Sequence, residues 1–158
     1  MFTKSLINSK VLFAILIATL SACSSTVEFK PKTVKQITDR SLKKMHSSVI
    51  TEFTVRSTTT FDANNQNETG IWILSSGKSN NSSNSLNVYL ATQVVAQVKS
   101  KYKMKNIADF EGVTIKVKGV AEPKYYCRAK MICLPGQQHD LYIQTQLNIE
   151  NINDLTIL

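Results

Sequence analysis

The chain has 158 residues, with 19 Lys+Arg against 11 Asp+Glu and a formal charge of +8. That length suits one domain around a single core, and more than one would be crowded. Basic character favours polyanionic neighbours such as lipid head groups, anionic polysaccharide or nucleic acid, although a lysine-rich solvated surface gives the same number.

The first stretch has the layout of an export signal: Lys4 and Lys10 precede the apolar run Val11 to Leu20. A spanning helix needs ~20 mostly apolar residues, roughly twice what this run offers before it meets Ser21, Ser24 and Ser25. Permanent spanning is therefore not expected. The run closes on Leu20-Ser21-Ala22-Cys23, an aliphatic residue, two small residues and a cysteine, which resembles the lipobox of bacterial lipoprotein precursors. The resemblance implies a diacylglycerol on the Cys23 thiol, cleavage of the Ala22-Cys23 bond, and acylation of the new amino terminus. Each buried methylene contributes ~0.8 kcal/mol, so two or three chains hold a protein on a bilayer without a spanning helix. Ser24 stands where an inner-membrane retention signal would place an aspartate, which in a Gram-negative cell points to the outer membrane, facing the periplasm.

Loss of residues 1–22 removes Lys4 and Lys10 and no acid, leaving the mature chain near +6. Residues 23–36 carry lysines, one proline and few apolar side chains, and are expected to be a flexible tether. A short helix should follow, capped by Thr38 with Asp39 in its first turn and with Leu42 and Met45 on one face.

From Val49 the pattern alternates. Val49, Thr51, Phe53 and Val55 face one way and Ile50, Glu52, Thr54 and Arg56 the other, as in a half-buried strand. Thr59 to Gly70 reads as a loop, and Gly70 to Leu74 as a second strand whose apolar run leaves the facing of Trp72 open. Lys78 to Ser85 reads as a Ser- and Asn-rich loop. In the third strand Leu86, Val88 and Leu90 alternate with Asn87 and Tyr89. From Thr92 to about Met104, Val94, Val95 and Val98 recur at helical spacing, with Lys99, Lys101, Lys103 and Lys105 crowding the end; three close valines also suit a strand. The fourth strand has Val113, Ile115 and Val117 inward and stops at Gly119. The fifth runs from Leu141 to Ile149, and Leu155 to Leu158 closes the chain.

Five strands, a helix between the third and fourth, and a closing hairpin match the order of the OB-fold, a five-stranded Greek-key barrel. Val49 to Ser57, Ile71 to Ser76, Phe110 to Val120 with its two glycines, Ile143 to Ile149 and Ile152 to Leu158 resemble the strands and tail of bacterial exported OB-like domains. The likeness covers about residues 37–158. The sequence departs from those domains over 120–140, where about twenty residues replace a tight hairpin and form an expected insertion.

That insertion contains Cys127 and Cys133, an even pair once Cys23 carries lipid, and one bridge is the simplest reading in an exported protein. A bridge across five residues would stiffen the loop by ~2 kcal/mol and present Arg128 and Lys130 beside Tyr125 and Tyr126. A redox pair would have its thiols closer, and a metal site would need more ligands than His46 and His139 supply. The candidate binding residues are Tyr125, Tyr126, Arg128, Lys130, Trp72 and Tyr89. No catalytic grouping, metal site or cofactor is expected. The favoured reading is a lipid-anchored binding protein or accessory subunit for an envelope protein or polymer. Single-stranded nucleic-acid binding is the alternative, and an envelope-polymer hydrolase a third.

Overall fold

The computed structural model describes residues 27–61, 71–78, 82–127 and 141–158. In chain order the elements are β1 (Lys30–Pro31), α1 (Val34–Leu42), β2 (Ser47–Thr54), β3 (Ser57–Phe61), β4 (Ile71–Ser75), β5 (Leu86–Leu90), α2 (Thr92–Tyr102), β6 (Thr114–Cys127), β7 (Leu141–Ile149) and β8 (Leu155–Ile157). Short 3-10 turns over Ile107–Phe110 and Ile152–Asp154 lead into β6 and β8. In the first of these, Asp109 accepts from the backbone amides of Lys105 at 2.7 Å and Asn106 at 2.9 Å. Those bonds hold its carboxyl below the usual carboxylate range.

All eight strands belong to one mixed sheet in the order β1-β2-β6-β7-β5-β4-β3, with β8 also on β6. Two pairings are parallel, β1 with β2 and β5 with β7. β2, second on this path, and β3, at its far end, are consecutive in the chain, with only Val55 and Arg56 between them. Val55 exchanges backbone hydrogen bonds with Val113 and Gly112, whereas the Arg56 amide donates to Ser75. Within two residues the chain therefore passes from the β6 side to the β4 side.

The domain is mainly β, with two helices and an eight-stranded mixed sheet, rather than five strands in a ladder closed on itself. No ladder between β1 and β3 closes the sheet among the described residues. The extra strands arise from the pairing of Lys30–Pro31, from the break at Val55–Arg56 and from β8.

The period-2 pattern sets the core. Val49, Thr51 and Phe53 of β2, Leu86, Val88 and Leu90 of β5, Ile115 and Val117 of β6, and Leu147 and Ile149 of β7 are buried. Val94, Val95 and Val98 are buried on a helix, so packing of one face outweighs the extended preference of β-branched residues. Gly119 faces this core. An added Cβ would stand 3.0 Å from Leu147 Cδ2, so a side chain there meets the neighbouring strand.

Three expectations change. The first helix starts at a capping box, not at Thr38: Thr33 Oγ1 accepts from the Gln36 amide at 3.2 Å, and Gln36 Oε1 accepts from the Thr33 amide at 3.0 Å. The helix ends at Leu42, its buried face is Ile37, Thr38 and Ser41, and Leu42 and Met45 are exposed. The tether expected over 23–36 is structured from Lys30 onward, because β1 pairs with β2 and Lys32 N donates to Ile50 O at 3.0 Å. The insertion expected over 120–140 opens as strand, because β6 runs through to Cys127 and pairs with β7 from Ala121 onward.

Candidate functional site

β5, β7 and β6 lie side by side, and alternation gives them two faces. One face supplies Leu86, Val88, Leu90, Leu147, Ile149 and Ala121 to the core. The other carries Tyr89 on β5, Tyr142, Gln144, Gln146 and Asn148 on β7, and Lys124 and Tyr126 on β6.

The register brings these side chains together. Tyr126 stands opposite Tyr142, with ring centroids 5.8 Å apart and planes tilted by 31°. The Tyr126 hydroxyl donates to Gln146 Oε1 at 3.4 Å, and Gln146 Nε2 donates to Asn148 Oδ1 at 2.7 Å. Gln144 Nε2 donates to the Tyr142 hydroxyl at 3.4 Å. Tyr89 stands opposite Asn148 across the parallel β5–β7 pair. Burial first, then a hydrogen bond with Tyr126 and the proximity of Tyr126 and Tyr142, push the Tyr89 phenol well above its ordinary pKa. Three tyrosines and three amides thus form one connected cluster.

At one end of this surface lies a cavity of about 310 Å³, bordered by Ile71, Tyr89, Ala91, Gln146, Asn148 and Glu150. A wider groove of about 790 Å³ lies elsewhere, where β1 leaves β2 and α1 begins. Lys32, Lys35 and Lys116 border it, but Lys35 is paired with Asp39 at 2.7 Å and Lys116 with Glu52 at 2.9 Å. Lost hydration, then Arg40 and Lys30, lower the pKa of Lys32. Internal pairing leaves that groove less basic than its lysines suggest.

Of the expected binding residues, Tyr89 and Tyr126 are brought together. Trp72 is not part of the surface. It is 2 % exposed, packs edge-on against Phe110 at 6.1 Å and has Lys99 Nζ 5.4 Å from its ring centre. The apolar β4 places it inside, where a large ring fills volume. Tyr125 is 48 % exposed but points to the opposite face of β6 from Tyr126, as neighbours in a strand must. Arg128, Lys130, Cys133 and Cys23 lie outside the described residues, and Cys127 is described only as the last backbone position of β6. Tyr142 was on the outward face in the sequence pattern without being singled out. The signal that finds it is hairpin pairing, since it stands opposite Tyr126 one step inside the Cys127–Leu141 pair.

Among the described residues no group of three or more His, Cys, Asp or Glu could hold a metal ion. No helix among them is long and apolar enough to cross a membrane. His46 Nδ1 lies 3.9 Å from Glu122 Oε2 at the surface.

No family model matches the sequence, and no curated protein matches it either. Among solved structures, the chain is similar to one described as an aspartyl-tRNA synthetase from Leishmania major Friedlin, with a TM-score of 0.38 and 9 % identity. The match covers 93 % of this chain but 26 % of that protein, so this chain spans about a quarter of its length. A likeness so slight carries no argument about activity.

Proposed function

We propose that this protein is a lipid-anchored envelope protein that binds a protein or polymer close to the membrane, and that the Tyr89–Tyr126–Tyr142 surface makes the contact. The observation that carries the reading is the clustering of three tyrosines with Gln146 and Asn148 on strand faces turned away from the apolar core, with Gln144 buried beside Tyr142. Rings offer large contact area at low entropic cost, and amides offer donors and acceptors together. Rigid strands hold both in fixed positions.

The finer architecture belongs to the same proposal. Taking β2 and β3 as one bent strand, the order β2/β3, β4, β5, α2, β6, β7 follows that of an OB-like barrel. The parallel β5–β7 pair and the helix after the third strand support this reading, with the wall turning at Val55–Arg56. A bridge between Cys127 and Cys133 would stiffen the hairpin beyond Tyr126 and set Arg128 and Lys130 beside it. Lipid on Cys23, separated from β1 by a handful of residues, would keep the domain at the membrane surface.

Nucleic-acid binding draws less support. Its lysines, Lys99 and Lys101, stand on α2 rather than on the tyrosine surface, and Trp72 is committed to the core.

Crosslinking in intact envelopes followed by purification of the full chain tests the proposal. A specific partner is expected, with recovery falling at least fivefold in Tyr126→Ala and in Tyr142→Ala. Equal recovery with both variants would remove the surface from consideration. Mass analysis of the Cys23 peptide tests the anchor separately, with a diacylglycerol-modified cysteine expected.

A further inference from the structure

We propose that the cavity beside Tyr89 holds a neutral sugar ring, and that the tyrosine and amide surface leading from it carries the following units of a glycan chain. This rests on the surface being the contact site, and it names the class of ligand. A pyranose has two requirements: hydroxyls that both donate and accept, and a C–H face that seeks apolar or aromatic cover. The cavity supplies both. Ile71, Ala91 and Ile149 are its apolar part, while Tyr89, Gln146, Asn148 and Glu150 surround them with polar groups.

The amides are set in advance. Gln146 Oε1 accepts from Tyr126 and its Nε2 gives one hydrogen to Asn148, which orients both amide planes. Asn148 is exposed, so the Nδ2 end of its amide is open to a ligand hydroxyl. Glu150 adds an acceptor-only group, the natural partner for a hydroxyl that donates. At about 310 Å³ the cavity sits at the small end of the ~300–1,000 Å³ typical of ligand sites, which suits one ring with its substituents. Beyond it, Tyr126 and Tyr142 extend the surface along β6 and β7, where further rings of a polymer would stack.

Charge selects against other ligands. The chain carries +8, yet no Lys or Arg is among the described residues bordering the cavity, and one carboxylate is. At the cavity, phosphates and sulfates would meet repulsion from Glu150, with no Lys or Arg among the described lining residues to receive them. The ligand is therefore a neutral glycan rather than a polyanion.

The test uses the full chain in detergent against four probes: an N-acetylglucosamine tetramer, a glucose tetramer, heparin and a single-stranded oligonucleotide. Calorimetry should detect at least one neutral tetramer, with affinity unchanged between low and high salt, and Asn148→Ala and Gln146→Ala should each weaken it at least tenfold. Binding of the polyanions alone, weakening steeply with salt, would overturn the inference. So would neutral-glycan binding that survives both substitutions, or no binding of either tetramer. Unchanged melting of Asn148→Ala, expected for an exposed residue, confirms that the variant is folded. If Tyr126→Ala and Tyr142→Ala abolish partner capture while neither tetramer binds, the contact surface stands and its sugar ligand is wrong. If neither readout responds, both fail.

Discussion

The two halves of β6 share an alternation but not an environment. From Thr114 to Ala121 the strand pairs with β2, and over Ile115–Val117 it is also flanked by β8. Its inward residues there, Ile115 and Val117, are fully buried. From Ala121 to Cys127 it pairs with β7 alone among the described strands, and its residues change to Glu122, Pro123, Lys124, Tyr125 and Tyr126. The backbone continues, while the core does not. Pairing thus carries the ladder past the apolar core: Thr145 and Gln144, opposite Pro123 and Lys124, are still buried, whereas Tyr125 and Tyr126 beyond them are exposed.

Substitutions should separate the two halves. The largest effect is expected in the core beneath the first: Trp72→Ala or Leu147→Ala should cost about 3–5 kcal/mol in denaturant unfolding, through lost burial plus a cavity. Gly119→Ala, at the point where β6 passes from β2 toward β7, should cost about 1–3 kcal/mol because the new methyl meets Leu147. Thr33→Ala removes a capping-box hydrogen bond and should cost about 1 kcal/mol. Tyr142→Ala should cost less than Leu147→Ala, because the ring is only half-buried and loses one aromatic pair and the hydrogen bond from Gln144, while abolishing partner capture. A Tyr142→Ala variant as unstable as Leu147→Ala would show that the second half is core after all.

The smallest effect concerns alkaline pH. The Tyr89 phenol has a raised pKa in the folded protein, so its neutral form contributes stability that is fully present below the unfolded value of ~10 and is lost as pH rises through the folded value. Absorbance titration should find one phenol ionising after the others, and Tyr89→Phe should remove that late step.

Much of the β architecture was legible residue by residue. β5 and β7 begin and end where alternation predicts, and the inward sets of β2 and β6 are those of the period-2 pattern. The first helix was misplaced because Thr33 and Thr38 both suit a cap, and only Gln36 three residues after Thr33 distinguishes them. The far half of β6 was hidden because the strand was expected to stop at Gly119, whereas it continues through Pro123. β6 has a partner on one side only at that point, and proline is tolerated at an edge. Trp72 was ambiguous for a different reason: a continuous apolar run carries no period from which to read a face.

What the sequence determined alone was local: the strand faces and the valine stripe of α2, both set by residue type and near-neighbour spacing. The tyrosine surface was decided by tertiary structure. Tyr89, Tyr126 and Tyr142 meet because β7 pairs antiparallel with β6 and parallel with β5. Side-chain period tells which way a residue points, but only the pairing of distant strands determines what stands beside it.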